Sequence, residues 1–484
     1  MANRLVCHGC GYQPPLEEAR PFACPNAERD DNVDHVLRRV FDAQVFRSAQ
    51  DPRDVFLDPE PNPFRRYRSL MYSYEMGKYG GVSDRAYLDM VDRLNAGIAA
   101  IDRSGSGSGF GATPFDVAPA LAGAIGLEGA SLWIKDETGN VSGSHKVRHL
   151  LGLMLWLEVS GRLGRESLAA RLAIASCGNA ALAAGVVACA AGRSLEVFVP
   201  ADGNQRTLAR LTELGARLTT CARQKGDPPG DPCLHGLLER LEASATDAGG
   251  AIPFSCQGKL NGLAIEGGCT LAWEMVSTLV RKGAHIDHLI VQVGGGALAT
   301  ACIEGLRNAV ALGLIGRLPR IHTVQTESAY PLRRAYDSIA KQLLEGDDPT
   351  DAARDPATAA ERARRICDQV AQSQLTSALE HARRHRGDYM WPWEKPPRSI
   401  ASGILDDETY DWVAVCEGML ETGGLPLVVD EDTLARAHGL GREYTSIVAE
   451  PTGTAGLAGL LELQQAGLVR PGESVALVFT GVER

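Results

Sequence analysis

Three turns in this chain carry side chains and backbone groups that could do chemistry. The first lies in the segment IKDETGNVSGSHKVRHL, residues 134–150. An apolar strand runs there into a turn holding Gly139, Asn140, Ser142, Gly143 and Ser144, and Lys146 opens a helix. Ser142 or Ser144 is expected to cap that helix, with the remaining N–H groups facing any bound anion. A lysine so placed is partly desolvated beside a positive helix end, which favours the free amine needed for a Schiff base. An exposed helix lysine would explain the segment alone, but two further turns accompany it. ASCGNAALAAG, residues 175–185, ends a strand with small residues and Asn179. VQVGGGALATA, residues 291–301, places Gly294, Gly295 and Gly296 between a strand and a helix, as a phosphate cradle would. All three are expected at the C-terminal ends of strands, where open α/β sheets bind ligands.

The surrounding pattern must position them. Short apolar runs at LWIK (132–135), LAIAS (172–176), LEVFVP (195–200), ARLTT (216–220), HLIVQVG (288–294), HTVQT (322–326) and VALVFTG (475–481) read as buried strands. Helical patterns such as 205–214, 267–280 and 298–312 separate most of them, which predicts mainly parallel sheets covered by helices. The expected organisation is an N-terminal extension over 1–103 and a catalytic region over 104–484 with two α/β subdomains. The smaller is placed around 150–260, SGSGSGFGATP forms the entry, and an insertion breaks the rhythm at about 331–400.

Composition excludes several classes. A net charge of −11, with no Lys/Arg-dense segment interleaved with aromatics, argues against a nucleic-acid partner. No apolar stretch reaches the ~20 residues of a membrane span. The start, MANRLVCHGC, has no apolar signal-peptide core, so a cytoplasmic protein is expected. The 12 cysteines therefore read as thiols or ligands instead of a disulfide frame. Among them, Cys7-x2-Cys10-Gly11 followed by Cys24-Pro25 forms most of a zinc ribbon, with a fourth ligand to come from His8, His35, Asp30 or Asp31.

Taken in order from Gly111 to Gly481, the motifs GATPF, KDETGNVSGSHK, ASCGN, NGLAIEGGCTLAWEM, VGGGAL and VALVFTG resemble the fold-type II pyridoxal-phosphate enzymes. NGLAIEGGCTLAWEM and the segment around PPRSIASGI are most similar to the threonine synthase and dehydratase group. The resemblance implies two open α/β sheet domains and pyridoxal 5'-phosphate bound to Lys146, which also moves the substrate α-proton. It gives Asn179 to the cofactor 3'-oxygen, and Ser176, Cys177 and Gly178 to the substrate carboxylate. Gly294, Gly295, Gly296, Ala297 and Leu298 receive the 5'-phosphate, and Thr480 faces the pyridine nitrogen. His145 either packs beside the cofactor or serves as a core histidine; Asp136 and Glu137 are expected to be structural.

The implied activity is a lyase on a small amino acid, working by β- or γ-elimination or replacement, threonine synthase-like. A threonine/serine ammonia-lyase and a β-replacing synthase are the alternatives, and a non-enzymatic subunit of the same fold is disfavoured by the intact Lys146. A homodimer is the expected assembly. Cys177 stands where the group usually has Ser or Thr, which bears on the substrate and not on the cofactor.

Overall fold

A computed structural model describes the chain apart from residues 29–30, 103–108, 128, 168, 224–229, 245–249 and 345–354. The boundary expected at 103/104 and the candidate ligand Asp30 lie outside the described residues.

In chain order the strands are β1 (Asn3–Cys7), β2 (Leu37–Phe41), β3 (Phe115–Val117), β4 (Ser131–Asp136), β5 (Leu172–Ala175) and β6 (Leu195–Pro200). They continue with β7 (Arg217–Cys221), β8 (Ile252–Pro253), β9 (His288–Gln292), β10 (Arg320–Thr326), β11 (Pro426–Val429) and β12 (Ser474–Phe479). The chain forms two compact units, one of residues 1–27, 35–112 and 139–274, the other of 28–34, 113–138 and 275–484. Both hold open parallel sheets, as alternating strands and helices dictate.

The first unit contains the parallel sheet β7-β6-β5-β8 and the antiparallel pair β1-β2. Residues 1–27 and 35–112 are built into it. Trp156 Nε1 donates to the Ala19 carbonyl at 3.2 Å, and the Tyr67 and Trp273 rings lie 5.6 Å apart. The Lys146–Arg162 helix is buried from Val147 to Ser160, which explains why its sequence lacks an amphipathic stripe.

The second unit contains β11-β10-β9-β12-β4-β3, parallel except for β3. Its core lies between that sheet and the Pro451–Gln465 helix, where Leu457, Leu460, Ile290, Val324 and Leu477 are all fully buried. Each such side chain contributes about 1.5–3 kcal/mol through removal from water. In the 331–400 region the Pro331–Leu343, Pro356–Gln369 and Gln372–Arg384 helices replace the strand–helix rhythm. The aromatic loop GDYMWPWEKPP, residues 387–397, stacks on the first of them, with the Arg334 guanidinium 4.2 Å from the Trp391 ring centre and 4.4 Å from that of Trp393.

One polar relay is buried in the second unit. The Leu425 N–H donates to His322 Nδ1 at 3.2 Å, so the neutral His322 carries its proton on Nε2. That proton faces His288 Nδ1 at 3.0 Å, and His288 Nε2 in turn faces Glu473 at 3.0 Å. Burial holds both imidazoles below the ordinary histidine value, His322 well below it. The unfolded chain therefore binds more protons, and stability falls as pH drops below about 6.5. Denaturant midpoints should decrease from about pH 7.5 to about pH 5.5, and a His288→Gln/His322→Gln variant should show a smaller slope. An unchanged slope in that variant would reject the relay as the source.

Candidate active site

In the first unit, Lys146 is the first residue of its helix, and the turn before it is strained. Ser142 has φ +56° and is the one non-glycine residue with positive φ among those described. Left-handed backbone at a non-glycine residue costs of order 1–3 kcal/mol and persists only where the surroundings impose it, commonly at functional sites. The Asn140 side chain accepts from the Val141 N–H at 2.8 Å, and Asp102 accepts from the Ser142 N–H at 3.3 Å. The expected serine cap is not formed. His145, in helical conformation, occupies the cap position and makes no side-chain cap bond, and Ser144 Oγ is buried without a hydrogen-bond partner. The turn is spent on delivering Lys146, which leaves its helix end open.

The 141–143 turn and the Lys146–Arg162 helix both pack on the Asn179–Ala190 helix. That helix follows β5 through Ser176, Cys177 and Gly178, and its cap residue Gly178 offers no side chain. Its first N–H groups therefore remain available to a carboxylate. Burial, reinforced by the Asp231 charge, pushes the Cys177 thiol up, so it serves as a neutral donor.

Two histidines flank the lysine. Burial, together with the Lys146 and Arg148 charges, holds His145 well below its ordinary value. His149 is brought to about 3 by burial and by Lys146, and its Nδ1–H donates to the Ala264 carbonyl at 2.8 Å. Both are neutral, so His145 can offer a phosphate or ring oxygen one N–H and no charge.

The Lys146 helix is locked to the Ala264–Lys282 helix, which carries the NGLAIEGG run. Arg148, fully buried, pairs with Glu274 at 2.7 and 3.1 Å and donates to Thr270 at 3.0 Å. Gly152 and Gly267 let the two backbones touch: a Cβ on Gly267 would lie 2.1 Å from the Arg148 carbonyl oxygen. Glu266 accepts from the Tyr72 N–H and pairs with Arg39 at 3.6 Å. That run is therefore a helix clamp. Gly267→Ala should cost about 1–3 kcal/mol by overpacking and tilt the lysine helix. An unchanged denaturation midpoint would show that the helices can separate freely.

In the second unit, Gly294–Gly296 follow β9 and open the Ala297–Ala311 helix. A Cβ on Gly294 would lie 2.1 Å from Asp406 Oδ2, and one on Gly295 would lie 2.9 Å from the Tyr410 ring, while Gly296 has φ +98°. Thr409 Oγ1 donates to the Gly294 carbonyl and the Asp411 N–H to the Gly295 carbonyl, both at 3.0 Å. Segment 404–411 is thus the floor of the glycine turn, a role its acidic sequence did not signal. Thr300 Oγ1, in the first turn of the helix, is buried without a partner. Ala297 and Leu298 begin that helix, and Thr480 is buried at the end of β12, next to β9 in the sheet. Asp136 and Glu137 are structural: Asp136 accepts from Thr138, and buried Glu137 lies 3.9 Å from buried Lys135.

Each unit taken by itself offers groups that fit pyridoxal phosphate: in the first, an amine at a strained turn and the orphaned Ser144 hydroxyl; in the second, a glycine turn opening a helix and the orphaned Thr300 hydroxyl. The family profile described as "Pyridoxal-phosphate dependent enzyme" matches residues 108–387. The chain belongs to that family. It is 24% identical over 380 residues to threonine synthase of Methanosarcina acetivorans, covering 77% of this chain and 74% of the relative. To threonine synthase of Mycobacterium leprae it is 25% identical over 373 residues, covering 77% and 81%. The fold is that of the crystal structure of T.th. threonine deaminase, with TM-score 0.52, 21% identity and coverage of 81% of this chain and 98% of that one.

At the N-terminus of the first unit, Cys7, Cys10, Cys24 and His35 bring their ligand atoms within 4.8 Å of one another. Burial pushes the Cys7 thiol up to about 12. Burial also raises Cys10, but hydrogen bonds from Asn26, the Tyr12 backbone and the other two cysteines outweigh it and bring Cys10 to about 6. No helix among the described residues is long and apolar enough to cross a membrane.

Proposed function

We propose that this chain is a threonine synthase-like lyase acting on a small amino acid. The observation that carries the reading is the strained 141–143 turn, which presents Lys146 at an open helix end beside the uncapped Asn179 helix. Bound pyridoxal phosphate supplies an electron sink for the amino-acid α-carbon. Lys146 would hold the cofactor, and its amine would carry the substrate α-proton. Ser176, Cys177 and Gly178 hold the substrate carboxylate, and Asn179 hydrogen-bonds the cofactor 3'-oxygen. Gly294, Gly295, Gly296, Ala297 and Leu298 hold the phosphate with backbone N–H groups, and neutral His145 packs beside the ring. The Thr480 hydroxyl, unlike a carboxylate, leaves the pyridine nitrogen unprotonated, which suits elimination and replacement over transamination.

In the leading reading a carbon–oxygen bond breaks, as from O-phosphohomoserine. ASCGNAALA, close to the dehydratases' Ser-Ser-Gly-Asn-Ala-Ala, supports the alternative, an ammonia-lyase that ends in carbon–nitrogen cleavage. A cytoplasmic homodimer belongs to the proposal, as does zinc at Cys7, Cys10 and Cys24. The test is to incubate the cofactor-loaded protein separately with O-phosphohomoserine, threonine, serine and O-acetylserine. Phosphate release with threonine formation supports the leading reading; ammonia and a 2-oxo acid from threonine support the alternative. A colourless protein without a borohydride-sensitive band would overturn both.

A further inference from the structure

The three N-terminal thiols converge with one imidazole, His35, from beyond the second turn. Cys7 Sγ is 3.5 Å from His35 Nδ1, and Cys10 Sγ is 3.6 Å from Cys24 Sγ. Zn–S bonds of ~2.3 Å and Zn–N bonds of ~2.0–2.1 Å in a tetrahedron place neighbouring ligand atoms roughly 3.5–3.8 Å apart. The local backbone has the right shape. The Gly11 N–H donates to the Cys7 carbonyl at 2.8 Å, and Gly11 has φ +77°, which folds Cys7 and Cys10 to the same side. Beyond Cys24, the Ala27 N–H closes a second turn on the Cys24 carbonyl at 3.1 Å, and Asn26 Nδ2 donates to Cys10 Sγ at 3.5 Å.

His8, adjacent to Cys7, is engaged elsewhere, since Arg38 lies 3.1 Å from its Nδ1. Asp31 accepts from the Val33 N–H at 2.8 Å. His35 remains, carried to the thiols by the pairing of β1 with β2 just beyond it. Cys7, Cys24 and His35 are buried, so a metal held there has no open position for substrate.

What the site fastens is visible next to it. Phe22, two residues before Cys24, accepts from the Gly262 N–H at 2.8 Å. Leu37, two residues after His35, lies so close that a Cβ on Gly262 would be 2.1 Å from its carbonyl oxygen. Gly262 belongs to the turn that starts the Ala264–Lys282 helix, the clamp on the lysine helix. We propose that Cys7, Cys10, Cys24 and His35 hold a structural zinc ion that clasps the 261–263 turn against the β1-β2 pair. The assignment rests on the reading that the N-terminal thiols bind zinc, and adds the fourth ligand and the purpose.

The test uses the full-length holoenzyme under reducing conditions. One zinc per chain is expected, with an absorption-edge spectrum of three sulfurs and one nitrogen, which reads the ligand set without any variant. His35→Ala should weaken zinc binding beyond the ~10–100-fold of an outer-shell change, while His8→Ala should retain it. Removing zinc with a chelator should speed amide exchange at residues 261–264 while the cofactor absorption band reads the lysine site separately. A zinc-free wild-type protein, or one whose thiols are joined as a disulfide, overturns the metal reading itself. Zinc lost from Cys10→Ser but kept by His35→Ala overturns the fourth ligand alone. Zinc removal without faster exchange at 261–264 overturns the clasp.

Discussion

Lys146→Ala is expected to lower turnover by at least ~10³-fold while leaving stability within about 0.5 kcal/mol of the parent. The side chain is only partly buried and begins a helix, where alanine is well accommodated. Borohydride treatment should no longer fix cofactor to the chain, and the circular dichroism spectrum should be unchanged. Retained turnover would reject Lys146 as the proton carrier. Lost turnover with retained borohydride fixation would move the covalent link to another lysine.

Glu274→Ala should have the largest effect on stability, about 3–5 kcal/mol. Arg148 is fully buried and Glu274 is 4% exposed, so neither charge regains water when its partner is removed. The alanine variant leaves a guanidinium buried with only Thr270 and its other neighbours. Replacing both partners, as Arg148→Met/Glu274→Leu, removes the two desolvation costs together and should return most of the stability. Denaturant midpoints of the two variants decide the point. Equal losses would mean that the pair contributes through packing and not through charge. Because Arg148 lies just after Lys146, the single variant should also release cofactor more readily.

The strand–turn–helix order, the parallel sheets and the lysine turn can all be read from the sequence. Each rests on local signals: apolar runs of strand length, helical periodicity, and Gly, Ser and Asn where backbone must approach an anion. The strands expected at 132–135, 172–176, 195–200, 216–220, 288–294, 322–326 and 475–481 correspond to β4, β5, β6, β7, β9, β10 and β12. β3, β8 and β11 are two to four residues long, too short for a pattern to stand out.

Contacts between distant segments were not legible. The expected serine cap gave way to strain at Ser142 because neighbouring segments, including Asp102, hold the turn in place. The acidic stretch at 406–408 became the floor of the glycine turn, and the NGLAIEGG run became a clamp read from Gly267 against the Arg148 carbonyl. His35 sits 28 residues from Cys7, and only strand pairing brings them together. Sequence by itself therefore determined the strand–turn–helix order that sets Lys146, Asn179 and Gly294–Gly296 in turns after strands, because turn and strand preferences are local, while the class of cofactor came from the resemblance of its ordered motifs. Tertiary structure decided which groups are held, neutralised or joined, because burial and close approach depend on segments that meet only after folding.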